Sequence, residues 1–171
     1  VSAAKITQAR LKELLDYDPE TGVFTWKFQK TSAVKAGGVA GTLGTNGYWC
    51  IKIDRKRWLA HRLAWLFVYS KFPDGNLDHR DRDRLNNAIT NLRRASVSQN
   101  TSNTERLQNN ETGYRGVYKS GRISWMARIV VGGKRLYGGS FRTAKLAAKK
   151  YDEMASTYFG EFARLNFSAS P

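Results

Sequence analysis

Apolar residues return along this chain at two different spacings, and the switches between them mark out its elements. Leu11, Leu14 and Leu15 fall at helical spacing behind Thr7, a residue suited to capping, so a short amphipathic helix is expected over residues 7–15. β-prone runs follow at residues 23–26, 48–53 and 57–59. They are punctuated by Gly37-Gly38, Gly41, Gly44 and Asn46-Gly47, with Asp54-Arg55-Lys56 read as a hairpin turn. From Ala60 to Tyr69, Leu63, Ala64, Leu66, Phe67 and Val68 crowd a helical period, and Pro73 stands beyond its end, which predicts a helix packed on the preceding sheet. Residues 77–100 then read strand, polar loop, strand, helix. Ser96 and Gln99 have capping-box spacing, which puts Asn100 in the first turn of that helix.

Residues 101–112 are rich in Asn, Gln, Thr and Glu and poor in apolar side chains, the composition of a linker. Beyond them lie three β-prone runs, residues 113–118, 123–131 and 134–141. Gly132-Gly133 forms a two-residue turn between the last two, where both positions can take positive φ, so an antiparallel meander is expected. In its middle strand Trp125, Ala127, Ile129 and Val131 share one face, leaving Ser124, Met126, Arg128 and Val130 on the other. From the N-cap Thr143, Ala144, Ala147, Ala148, Tyr151, Ala155 and Tyr158 line one side of a helix that stops at Gly160. The pattern is α+β, in two modules.

Composition adds a partner to this picture. Of 171 residues 41% are hydrophobic, enough for real cores, while 29 Lys and Arg against 14 Asp and Glu give a net charge of +15 and a pI near 10.2. The balance is +8 before residue 111 and +7 from there on, so both modules carry the electrostatic footprint of a phosphate-binding protein. Nucleic acid is the natural partner of such a charge, and the resemblances given below narrow the expectation to double-stranded DNA; oligomeric state is not legible. No apolar run approaches a membrane span and residues 1–5 lack a signal-peptide core, so a soluble, cytoplasmic protein is expected. Cys50 is the sole cysteine and there are two histidines, which excludes an internal disulfide and a four-ligand Cys/His zinc cage.

The chemistry concentrates in residues 77–100, where Asp78 and His79 precede a run of Asn and Arg. A carboxylate and an amide oxygen are hard ligands suited to Mg²⁺, which keeps most of its waters, and an imidazole that titrates near neutrality can take a proton from water attacking a phosphate. The ordered set Asp78-His79, Asn91-Leu92-Arg93 and Ser96 to Asn100 resembles the HNH nucleases, particularly the phage and homing-endonuclease branch. Residues 14–26 and His61-Arg62-Leu63-Ala64-Trp65 fit the same family. The resemblance implies an HNH core with a ββα metal site at residues 1–100. Asp78 and Asn100 would be ligands of one divalent ion, Mg²⁺ or Mn²⁺, with His79 the general base and Asn91 the residue bracing the loop. Relatives often carry Ile-Asn-Gly-Asp where this chain has Arg80-Asp81-Arg82-Asp83. His61 reads as a hydrogen-bonded structural residue. Arg62 and Arg93 are expected on phosphate, with Arg80, Arg82, Arg84 and Arg94 as further clamps.

Tyr114-Arg115-Gly116-Val117, Trp125 with Ala127 and Ile129, Tyr151-Asp152 and Asn166-Phe167, in that order, look like an AP2 DNA-binding domain over residues 113–167. That family lays its three-stranded sheet in the major groove, and by the resemblance Arg115, Trp125, Arg128, Arg135 and Tyr137 are the candidate contacts. Two other readings stay open on sequence alone. One is a non-enzymatic AP2-type regulator with a relic HNH region, although Asp78, His79, Asn91 and Asn100 are all present; the other is an RNA-binding or RNA-processing protein.

Overall fold

The structure, a computed structural model, describes residues 6–29, 31, 32, 34–103 and 111–167, with no side chains for 101–103. The signal-peptide reading of residues 1–5 and the expected linker's residues 104–110 lie outside the described residues. The chain divides into two compact units after Arg94.

In the first unit α1 (Gln8–Leu14) begins where Thr7 Oγ1 accepts the Arg10 amide at 3.2 Å. The expected helix included Leu15. Instead Leu15 opens β1 (Leu15–Tyr17), which pairs antiparallel with β2 (Phe24–Trp26), Leu15 opposite Trp26 and Tyr17 opposite Phe24. Leu15 is fully buried in this register too, and Asp18 closes the intervening turn by accepting the Thr21 hydroxyl at 2.7 Å, so the local helical spacing gives way to a cross-strand pair.

A second sheet runs β3 (Thr42–Leu43), β4 (Trp49–Ile53), β5 (Lys56–Leu59), all antiparallel. Ile53 pairs with Lys56 around a two-residue turn at Asp54 and Arg55, whose φ values of 47° and 64° match the twist of the flanking strands. Lys56 is therefore strand and not turn. α2 (Ala60–Tyr69) ends at Ser70, left-handed at φ 62°, and buries Ala60, His61, Leu63, Ala64 and Leu66 against α1 and the sheet. Leu11, Leu15, Phe24, Ile51, Ile53 and Leu63 form the centre of this core. β6 (Asn76–His79) pairs with β7 (Leu92–Ala95), and Leu92 fastens that ribbon to the same core.

The second unit begins with α3 (Val97–Asn103), closed by the reciprocal box that the sequence spacing implies. The Ser96 amide donates to Gln99 Oε1 at 2.8 Å, and the Gln99 amide to Ser96 Oγ at 3.2 Å. α3 packs on the short 3-10 turn at Gly160–Phe162. The meander is present as β8 (Val117–Lys119), β9 (Trp125–Val131) and β10 (Lys134–Phe141), with β9 central. α4 (Ala144–Phe159) lies across one face, its Ala147, Ala148 and Ala155 wholly buried so that helix and sheet approach closely. Phe159, four residues after Ala155, completes that stripe in place of Tyr158, which is exposed. Asp152 accepts the amides of Asn166 and Phe167 at 2.8 and 2.9 Å, and Asn166 Oδ1 accepts the Arg115 amide at 2.6 Å. Two of the motif residues thus clasp the C-terminal tail to the start of the sheet.

Candidate active site and nucleic-acid interface

Leu77, Asp78 and His79 are buried along β6. Asp78 Oδ2 accepts two bonds from Arg93 on the neighbouring β7, from Nε and from a terminal guanidinium nitrogen, each at 2.9 Å. Arg93, expected on phosphate, is thereby turned inward: a guanidinium one strand away from a buried carboxylate gains more from that partner than from solvent. His79 Nε2 faces Asn87 Oδ1 at 3.3 Å. The Asn87 amide nitrogen already donates to the Leu85 carbonyl at 3.0 Å, so its oxygen is the atom presented to the ring, and Nε2 carries the proton. Nδ1 then holds the lone pair.

Asn91 braces the intervening loop from inside. Its Oδ1 accepts the Asp81 amide at 3.0 Å, its Nδ2 donates to Asp81 Oδ1 at 2.9 Å and to the Asn86 carbonyl at 2.8 Å, and its own carbonyl accepts the Arg80 amide at 2.9 Å. Burial works against the charged form of Asp81, yet the bonds from Asn91, Asn86 and the Asp83 amide hold its carboxyl below the usual range. Arg82 stands in this turn at φ 71°, its amide donating to the His79 carbonyl at 3.0 Å, so a left-handed position here carries a side chain.

The loop is held from outside by the first turn of the fold. The Tyr17 hydroxyl donates to the Asn87 carbonyl at 2.8 Å and the Ile89 amide to the Pro19 carbonyl at 3.1 Å. On the other side His61 meets the His79 ring edge-to-face, with centroids 5.2 Å apart, and Tyr48 packs on both imidazoles. His61 was expected to be hydrogen-bonded, but its buried Nδ1 has no partner among the described residues. Burial, then the proximity of His79 and Arg62, pushes its pKa down to about 3, and burial also lowers that of His79. Both are neutral imidazoles at pH 7.

This has a measurable consequence. An unfolded His titrates near pH 6.5, so the folded state, with its lower pKa, is fully favoured above that pH and loses stability as pH falls from about 6.5 towards about 3. His61 alone should cost about 2 kcal/mol between pH 7 and pH 5. Urea unfolding at the two pH values checks it, and His61→Gln should flatten the difference; a flat profile in the wild type would contradict the burial argument.

Arg62 donates to the carbonyls of Gly75 and Pro73 at 3.0 and 3.5 Å, tying α2 to the loop before β6. In the second unit the strand register puts Arg128 beside Tyr137 and Val130 beside Arg135, on the sheet face turned away from α4. The Arg128 guanidinium lies 3.8 Å over the Tyr118 ring on that face. Trp125, expected among the contacts, has the parity of Ala127 and Ile129 and packs with the core on the helix side. Asn100 lies in α3, within the second unit.

Residues 59–102, which include Asp78, His79, Asn91 and Asn100, match the HNH endonuclease family. Over that segment the chain is similar to the HNH endonucleases. It is 34% identical over 126 residues to an uncharacterized HNH endonuclease of Acanthamoeba polyphaga mimivirus, a match that covers 72% of this chain and 65% of that protein. Two plant proteins named dehydration-responsive element-binding protein 2A also match. The Oryza sativa subsp. indica protein is 43% identical over 63 residues, 36% of this chain and 23% of its own length; the Arabidopsis thaliana protein is 42% identical over 65 residues, 37% and 19%. The chain thus spans 65% of the length of the viral relative and about a fifth of the plant ones.

Asn87, Tyr48 and Tyr17 bond or pack around His79 and its loop, and sequence reasoning passed over them. An Asn beside another Asn in a polar loop reads as a turn former, and nothing local singles out which of Asn86 and Asn87 faces the histidine. Tyr17 lies 70 residues from its partner. Among the described residues no group of three or more His, Cys, Asp or Glu is placed to hold a metal ion. The donor set on β6, one carboxylate beside a neutral imidazole, fits a hard cation held by few protein oxygens, water and phosphate. No helix among the described residues is long and apolar enough to cross a membrane.

Proposed function

We propose that this protein is a divalent-cation-dependent HNH DNA endonuclease of the homing or phage type, acting in the cytoplasm of a host cell, with an AP2-like module for target binding. The functional modules are taken as residues 1–100, a polar linker over 101–112, and 113–167. What supports the reading best is the state of His79: Asn87 fixes its Nε2 as a donor, burial keeps the ring neutral, and Nδ1 is left as the basic nitrogen of the residue that follows a buried carboxylate in β6.

Asp78, and Asn100 on the family pattern alone, are the residues that would hold one Mg²⁺ or Mn²⁺. Such an ion supplies charge stabilisation to a phosphate under attack. The chain's own residues do the rest. His79 Nδ1 accepts a proton from the attacking water, and the Asn87 oxygen on Nε2 steadies the imidazolium that forms. Asn91 and Tyr17 keep the loop from shifting while it does so. The products are 5′-phosphate and 3′-hydroxyl ends. The test is incubation of purified protein with plasmid and with a random-sequence duplex library, with Mg²⁺ or Mn²⁺ and with chelator. Cation-dependent nicks or breaks are expected, and no cleavage under any of these conditions rejects the enzyme in favour of a DNA-binding regulator.

The second module's exposed sheet face is the proposed docking surface for duplex DNA. Arg128→Ala should lower affinity for a selected site by about 1–3 kcal/mol and much less for scrambled DNA, since a bidentate Arg-to-guanine contact discriminates between bases. Arg135→Ala should weaken both DNAs alike, as loss of a phosphate contact does. Fluorescence anisotropy on the two duplexes separates these roles; equal losses would demote Arg128 to backbone clamping.

A further inference from the structure

Asp78 and Arg93 are the only buried residues with permanent charge among those described, and they are paired with each other. The side chains are 5% and 7% exposed, and Nε and a terminal nitrogen of Arg93 bond the same Asp78 oxygen. The other buried polar residues of this unit, His61, His79, Asn87 and Asn91, are neutral at pH 7, and Asp81 and Asp83 sit on the exposed loop among Arg80, Arg82 and Arg84. The interior of the site therefore holds a carboxylate whose charge is already compensated. A cation approaching Asp78 meets a fixed positive charge bonded to that same group, and the attraction of a lone carboxylate is largely cancelled.

Resting on the nuclease reading, we propose that Arg93 is a counter-charge that makes divalent-cation binding at Asp78 conditional on DNA. In the free protein Arg93 offsets the charge of Asp78, which therefore holds a cation weakly. When a scissile phosphate enters, its negative charge both co-ligates the cation and offsets Arg93, so cation and DNA bind cooperatively. The arrangement limits metal loading, and hence strand cleavage, to protein seated on DNA. By linkage, the cation tightens DNA binding by the same factor.

Mn²⁺ binding measured by electron paramagnetic resonance tests this without reference to turnover. Wild-type protein alone should bind Mn²⁺ only in the millimolar range, and its complex with a duplex at low salt at least about tenfold more tightly, after subtraction of DNA alone. Arg93→Gln, which keeps a hydrogen-bonding side chain but removes the charge, should bind Mn²⁺ about tenfold more tightly than wild type without DNA. Its melting temperature should also rise on Mn²⁺ addition where that of wild type does not, because the cation replaces the missing partner of Asp78. The double variant Asp78→Asn/Arg93→Gln, with no buried charge left unpaired, is the site-less control. Micromolar Mn²⁺ binding by free wild type, or an Arg93→Gln variant no tighter than wild type, overturns the counter-charge while leaving the nuclease reading standing. If the wild-type complex with DNA binds no more Mn²⁺ than the double variant's complex, the metal reading itself fails and the proposal with it. Should Arg93→Gln not fold, the wild-type comparison with and without DNA decides, equal affinities overturning the idea.

Discussion

Replacement of His79 by Ala is expected to slow cleavage of duplex DNA by about a hundred- to ten-thousand-fold, the range that a positioned general base contributes. DNA affinity should change little, because His79 is 5% exposed and presents almost nothing to a docking duplex. The loss should fall on the chemical step under single-turnover conditions with saturating protein, and raising Mg²⁺ should not restore it. Since the ring is packed between Tyr48 and His61, the variant should also lose about 1–2 kcal/mol of stability, so the assay belongs well below its melting temperature. Asn87→Ala is the companion. It removes the acceptor that fixes Nε2 as a donor, and should lower the rate less than His79→Ala while shifting the tautomer signature of His79 in nitrogen NMR spectra. Cleavage by His79→Ala at the wild-type rate would show that the base lies elsewhere.

The second large effect comes from a residue that touches no reacting group. Gly22 ends the turn between β1 and β2 at φ 75°, and a Cβ there would stand 2.2 Å from the Ala88 nitrogen and 2.2 Å from the Asn87 carbonyl carbon. Both obstacles are backbone, which cannot rotate away, and they belong to the loop that presents Asn87 to His79. Gly22→Ala should therefore cost about 3 kcal/mol or more through crowding added to left-handed strain. The surviving folded fraction should cleave more slowly, because the loop must move. Gly75→Ala is the control: its φ of 94° is also left-handed, but none of the described residues comes within 4 Å of an added Cβ, so only the backbone penalty of about 1–2 kcal/mol applies. Urea unfolding of the two variants checks this, and equal losses would mean that crowding against the loop contributes nothing.

What could be read from the sequence was whatever depends on neighbours in the chain. The cap of α4 and its apolar stripe as far as Ala155, the Gly132-Gly133 turn, the Ser96–Gln99 box and the period of α2 are local, and each stands in the fold as its spacing requires. The order Asp78, His79, Asn91, Asn100 was likewise legible and lies within the segment that matches the HNH endonuclease family. Tertiary structure decided which polar group meets which. Leu15 left the helix because the cross-strand pairing with Trp26 buries it equally well. Arg93 left the surface because β7 delivers it to a buried carboxylate on β6, and a guanidinium's preference between water and a partner cannot be known until burial is known. The same holds for His79, whose protonated nitrogen is set by Asn87 eight residues on, while Asn87 is in turn held by Tyr17 70 residues away. Periodicity fixes which residues go inside; the choice of hydrogen-bond partner among distant buried groups arises only when the core closes around them.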